Sequence, residues 1–152
     1  MNFEQQHHTD PQMIDHIGSK YESQESLNLP ITEEQLREQC EGIDLCERAL
    51  ESMLGYSIRY ANDVWEMKKL IAEKANYTET QWAELFDKAD SDRSRLHNTL
   101  IDSIAILSRQ MNENELDIQW VKKLAPAGKL ERVSCGRFAI MLTYSKYVNS
   151  SK

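Results

Sequence analysis

Glycine and proline are scarce, at five and three of 152 residues. With so few turn-formers the elements must be long, and long elements are usually helices. Long apolar runs are missing too. The longest, Phe138-Ala-Ile-Met-Leu142, is far short of the roughly 18 residues a membrane span needs, so no membrane contact is expected. Cysteine is limited to Cys40, Cys46 and Cys135, an odd number without a C-x-x-C. With no signal-peptide pattern, this predicts reduced thiols and a cytoplasmic protein. Cys40 and Cys46 would point about 120° apart on a continuous helix, a poor geometry for pairing.

Catalytic and cofactor motifs are also absent. There is no H-E-x-x-H or E-x-x-H for metals, no G-x-S-x-G, no Walker A loop and no G-x-G-x-x-G. No metal and no cofactor is expected. Basic charge is in deficit, with 18 Lys and Arg against 25 Asp and Glu, a net −7. Phosphate attraction supplies most non-specific nucleic-acid affinity, so nucleic-acid binding is not expected. The basic exception is residues 113–152, with seven bases and four acids, or +3.

A chain of this length forms one domain with a real core. Residues 1–30 have no sustained period and read as a flexible acidic tail. Within it Met13, Ile14 and Ile17 could make one turn that docks on the body. His7, His8, Asp10, Asp15 and His16 are metal-ligand types without a preset geometry. The body, 31–150, begins at a capping box, Thr32 with Gln35. An apolar seam then steps by three and four through Ile43, Cys46, Leu50, Met53, Ser57, Tyr60, Val64, Met67 and Ile71. It predicts a helix over about 33–74, with Gly42 and Gly55 the places for a bend or break.

Thr78 with Gln81 opens a second helix, about 79–111, on a line through Trp82, Phe86, Ala89, Arg93, Leu96, Leu100, Ile104, Leu107 and Met111. Asn112 with Glu115 reads as a third cap, starting a helix over about 113–124 that Pro126-Ala-Gly128 stops. Residues 130–148 read as a last helix, continuous or broken at Gly136, with a hairpin at Cys135-Gly136 as the alternative. The fold expected is an all-α antiparallel bundle of two long and two shorter helices. If the long pair overhangs the short pair, apolar seam is exposed, and a protein partner or self-association follows.

One polar spot stands out. Arg93 sits on the core line, and His97 follows at i+4 on the same face. Together they could hold a phosphate or carboxylate, or make a pH-sensitive contact. The alternative is structural, with Arg93 pairing to Asp63 or Glu66 of the first helix. Cys135, if near a helix start, is the one thiol a helix dipole could activate.

The stretch Asp92-Arg93-Ser94-Arg95-Leu96-His97-Asn98-Thr99-Leu100-Ile101, continuing to Ile104 and Leu107-Ser108-Arg109, resembles a helix of an uncharacterised family. Its members are small helical proteins of unknown function from Gram-positive bacteria and their mobile elements. Ser108 departs from the Asn that pattern carries before Arg109. The resemblance implies a helical bundle in a bacterial cytoplasm and groups Arg93, His97 and Arg109. The expected function is a non-enzymatic regulatory or accessory binding module that contacts another protein. The alternative is a small anionic-ligand-binding domain or enzyme centred on Arg93 and His97, with Arg109 and Asp102 as further candidates. On a straight helix Arg109 falls about 120° from His97, which strains a shared site.

Overall fold

The computed structural model describes residues 29–150, with side chains as far as Ser145. The tail readings, from His7 to Ile17, lie outside the described residues. Five helices follow in order: α1 (Glu33–Cys40), α2 (Asp44–Ala72), α3 (Glu79–Glu113), α4 (Gln119–Leu124) and α5 (Arg132–Ser150). A short 3-10 turn, Lys74–Asn76, links α2 to α3. The described chain contains no strand, and the helices pack as an all-α bundle. No helix among the described residues is long and apolar enough to cross a membrane.

Both capping boxes form. Thr32 Oγ1 accepts from the Gln35 amide at 3.1 Å, and Thr78 Oγ1 does the same for Gln81 at 3.1 Å. Each Gln side chain returns the bond to its cap amide. These reciprocal bonds satisfy donors that a helix start otherwise leaves without partners.

The first long helix is interrupted. Gly42 takes φ +83°, a left-handed conformation that stops α1 and lets α2 restart at Asp44. Gly55 stays inside α2 without a break. The interruption also overturns the expected cysteine geometry. Cys40 and Cys46 are not on one helix, and both are free and buried. Burial, reinforced by Cys46, pushes Cys40 up to about 11.

The helix expected over about 113–124, α4, is shorter than its cap signal implies. Asn112 and Glu113 belong to α3, and α4 starts only at Gln119. The reason is a Schellman stop without glycine. Glu115 adopts φ +61°, its amide donates to the Asn112 carbonyl, and Leu116 N donates to the Met111 carbonyl at 2.9 Å. The last helix runs unbroken through Gly136, and no hairpin forms.

Leu36 and Cys40 of α1, Leu50 and Met53 of α2, and Leu100, Ile104, Leu107 and Met111 of α3 meet in the core. Trp120 and Leu124 of α4 and Cys135, Phe138 and Leu142 of α5 complete it. The chain direction follows from the neighbours. Gly136 lies on Tyr60, whereas Leu142 and Thr143 border Leu54 and Ile58, so α5 runs antiparallel to α2. With α2 and α3 joined as a hairpin, α5 runs parallel to α3.

The core fills only one half of that hairpin. From Asn62 to Leu96 no residue is buried, although the apolar seam continues through Val64, Met67, Ile71, Trp82 and Phe86. The helix α5 starts at Arg132, level with His97, and leaves this part of the pair uncovered. From Glu79 to Leu96 the arm projects about 27 Å at 1.5 Å per residue. Its tip is latched by the Trp82 indole, which donates to the Leu70 carbonyl at 2.9 Å and stacks on Phe86 at 4.9 Å.

Candidate functional site

Where α5 begins, three helices diverge and leave a groove of about 590 Å³ at the base of the arm. Tyr60, Val64, Met67, Lys68 and Ile71 of α2 line it, with Arg93 and His97 of α3 and Val133, Gly136, Arg137 and Ile140 of α5. The seam spacing places Tyr60, Val64, Met67 and Ile71 on one side of α2, as the sequence requires. Val133 is 76% exposed and Ile71 54% exposed, an apolar floor open to solvent. The charged side chains lining it are all basic: Lys68, Arg93 and Arg137, on a chain of net charge −7.

His97 anchors the base. It is 6% exposed, and its Nε2 donates to the Arg132 carbonyl at 2.8 Å, which requires the proton on Nε2. Its ring meets that of Tyr60 at 4.6 Å. Arg132 in turn donates to Asn98 Oδ1, so the start of α5 is pinned twice to α3. Burial pushes the imidazole below its ordinary value, and the charges of Arg132 and Arg93 add to this, against the opposing bond to Arg132.

Arg93 is not paired as expected. Its Nη2 bonds Asp90 Oδ1 at 2.9 Å, one turn back on the same helix, instead of Asp63 or Glu66. Asp63 is half-buried on α2. Burial first, and then the neighbouring Asp92, push its carboxyl up. Arg93 lies beside Tyr60, whose hydroxyl burial pushes up against the pull of this cation. The Nε of Arg93 is buried without a hydrogen-bond partner.

The four candidate residues do not form one site. Arg93 and His97 share the groove. Asp102 lies on a different groove, of about 400 Å³, between Leu45, Arg48 and Tyr56 of α2 and Thr99 and Ile106 of α3. Arg109 is exposed and lines neither. The 100° per residue of a straight α3 disperses them. Cys135 is fully buried, not exposed at a helix start, and burial pushes its thiol up to about 11, which leaves no reactive thiolate. Among the described residues no three of His, Cys, Asp and Glu gather as a metal site.

Sequence reasoning did not single out Tyr60, Lys68, Gly136 or Arg137 as groove residues. A signal existed for Gly136. A glycine inside a helix costs about 1 kcal/mol relative to alanine, which calls for a packing reason. That reason is the Tyr60 ring.

The histidine makes stability pH-dependent. The folded state holds His97 below the 6.5 of the free side chain, so the unfolded chain binds its proton more readily. Stability is therefore full above that value and falls as the pH drops below it. The urea midpoint should decline as the pH falls through about 6.5, and His97→Gln should flatten the decline. An equal slope in both proteins would exclude His97 as its source.

The chain matches no protein-family model, no curated protein and no solved structure.

Proposed function

We propose that this protein is a non-enzymatic binding module that contacts another protein through its projecting α2–α3 arm and the groove at the arm's base. One observation carries the reading: the apolar seam continues from residue 62 to residue 96 with nothing buried on it. A contiguous apolar surface rimmed by polar groups marks an interaction site. A folded body behind the arm supplies a rigid mount, and the buried free thiols suit a reducing compartment such as the cytoplasm.

The test is co-purification from the lysate of the cell that makes the protein, read by quantitative mass spectrometry. Wild type is compared with Ile71→Asp/Val133→Asp. Both residues are exposed, so each change should shift stability by no more than about 0.5 kcal/mol. A stoichiometric partner retained by wild type and lost by the variant is expected. A partner retained equally by both would place the contact elsewhere, and no stoichiometric partner would end this reading.

The basic lining and the partnerless Arg93 Nε support a second reading, a site for a small phosphate or carboxylate ligand. A rise in melting temperature with added phosphate, absent in Arg93→Gln, would favour it.

A further inference from the structure

We propose that the groove at the base of the arm is the docking site of this chain's own N-terminal segment, residues 10–17. Three independent features of the chain support it.

The first is charge. No acid lines the groove, whose charged side chains are Lys68, Arg137 and Arg93, the last partly offset by its ion pair with Asp90. Residues 1–28 carry Glu4, Asp10, Asp15, Glu22 and Glu25 against Lys20, or 1 − 5 = −4. Opposite potentials steer and orient such a contact. The second is apolar pattern. Met13, Ile14 and Ile17 have i, i+1, i+4 spacing, which on a helical turn would share one face, and Asp10 and Asp15 are close in sequence. The groove offers the matching floor of Val64, Met67, Ile71, Val133 and Ile140.

The third is reach. Leu29 packs against the core, and Glu33 lines a crevice with Ile58 and Thr143. Ile58 is two residues before Tyr60 and Thr143 three after Ile140, so along both helices the chain reaches the body within about one turn of the groove. Residues 18–28 span up to about 36–40 Å when extended. The groove from Tyr60 to Ile71 is about 17 Å long. A tethered segment meets its site at about millimolar effective concentration, so even a weak contact is well populated.

A second copy of the chain fits less well. A symmetric contact of groove on groove would oppose Lys68, Arg93 and Arg137 to their own copies.

The full chain, carrying Met67→p-benzoyl-phenylalanine, tests the proposal by photo-crosslinking and tryptic mass spectrometry. Lys20 is the first tryptic site, so residues 1–20 leave as one peptide. The expected product is an adduct of that peptide within one chain. Met13→Asp/Ile14→Asp/Ile17→Asp should cut its yield at least about tenfold, the factor each lost apolar anchor carries. Raising ionic strength from about 0.01 M to about 1 M shortens the screening length from roughly 30 Å to roughly 3 Å and should also lower the yield. Mixed 14N/15N adducts would assign the groove to a second copy and overturn the proposal. No adduct with residues 1–20, or one insensitive to the triple variant, would overturn it too. Neither result bears on whether an external protein binds the arm, which the co-purification decides.

Discussion

Phe138→Ala should remove about 3–5 kcal/mol of folding stability. Phe138 is fully buried, on the side of α5 that faces the core, and its ring lies 5.7 Å from that of Trp120. Two elements depend on it. The short α4 has only six residues and is marginal alone, so it is held by burial of Trp120 and Leu124. Deleting the ring leaves a cavity between α4 and α5 that a close-packed core refills only in part. For a chain of this size the loss corresponds to a fall in melting temperature of roughly 6–20 °C. Urea unfolding followed by circular dichroism measures it. A change below about 1 kcal/mol would mean that α5 does not seal the core as described.

The second large effect is at Gly136. A Cβ there would lie 2.8 Å from Tyr60 Oη, 3.1 Å from Cε2 and 3.2 Å from Cζ. The Tyr60 ring has little room to retreat, because it is 6% exposed and packs against the His97 ring at 4.6 Å. Overpacking of this kind costs about 1–3 kcal/mol. Gly136→Val should therefore lose about 2 kcal/mol. Gly136→Ala should lose less, because replacing a helical glycine by alanine returns about 1 kcal/mol. The mechanism is checked by a double-mutant cycle. In a Tyr60→Phe background, which removes the nearest atom, Gly136→Ala should become cheaper than in wild type. An additive cycle would show that the hydroxyl is not what a side chain at 136 meets. Because Tyr60 and His97 both line the groove, the same substitution should shift the His97 ring signals in an NMR spectrum.

Both predictions concern contacts between helices distant in sequence. Much else was readable locally. The boxes Thr32–Gln35 and Thr78–Gln81 marked helix starts correctly, because a cap is a bond between residues three apart. The seam from Ile43 to Ile71 announced one face of a long helix, and Gly42 was named as a place where it could stop. The end of α3 was hidden, because Glu115 holds a left-handed position that glycine usually marks. The Arg93 and His97 pair was visible as a break in an apolar line. Its surroundings were not, since Lys68 and Arg137 come from other helices.

The division follows from range. Local bonds and periodicity are written in residues three to seven apart, so the all-α architecture and the caps can be derived from the chain alone. Where α5 starts along the hairpin is another matter. That depends on the Arg132–His97 and Arg132–Asn98 contacts, which join residues 35 and 34 positions apart. This register alone decides that the seam is core up to Tyr60 and open arm beyond it. It also puts Gly136 on Tyr60 and makes a basic groove on an acidic protein. No local pattern encodes it, because the free energy that selects the register comes from burying side chains of several helices together.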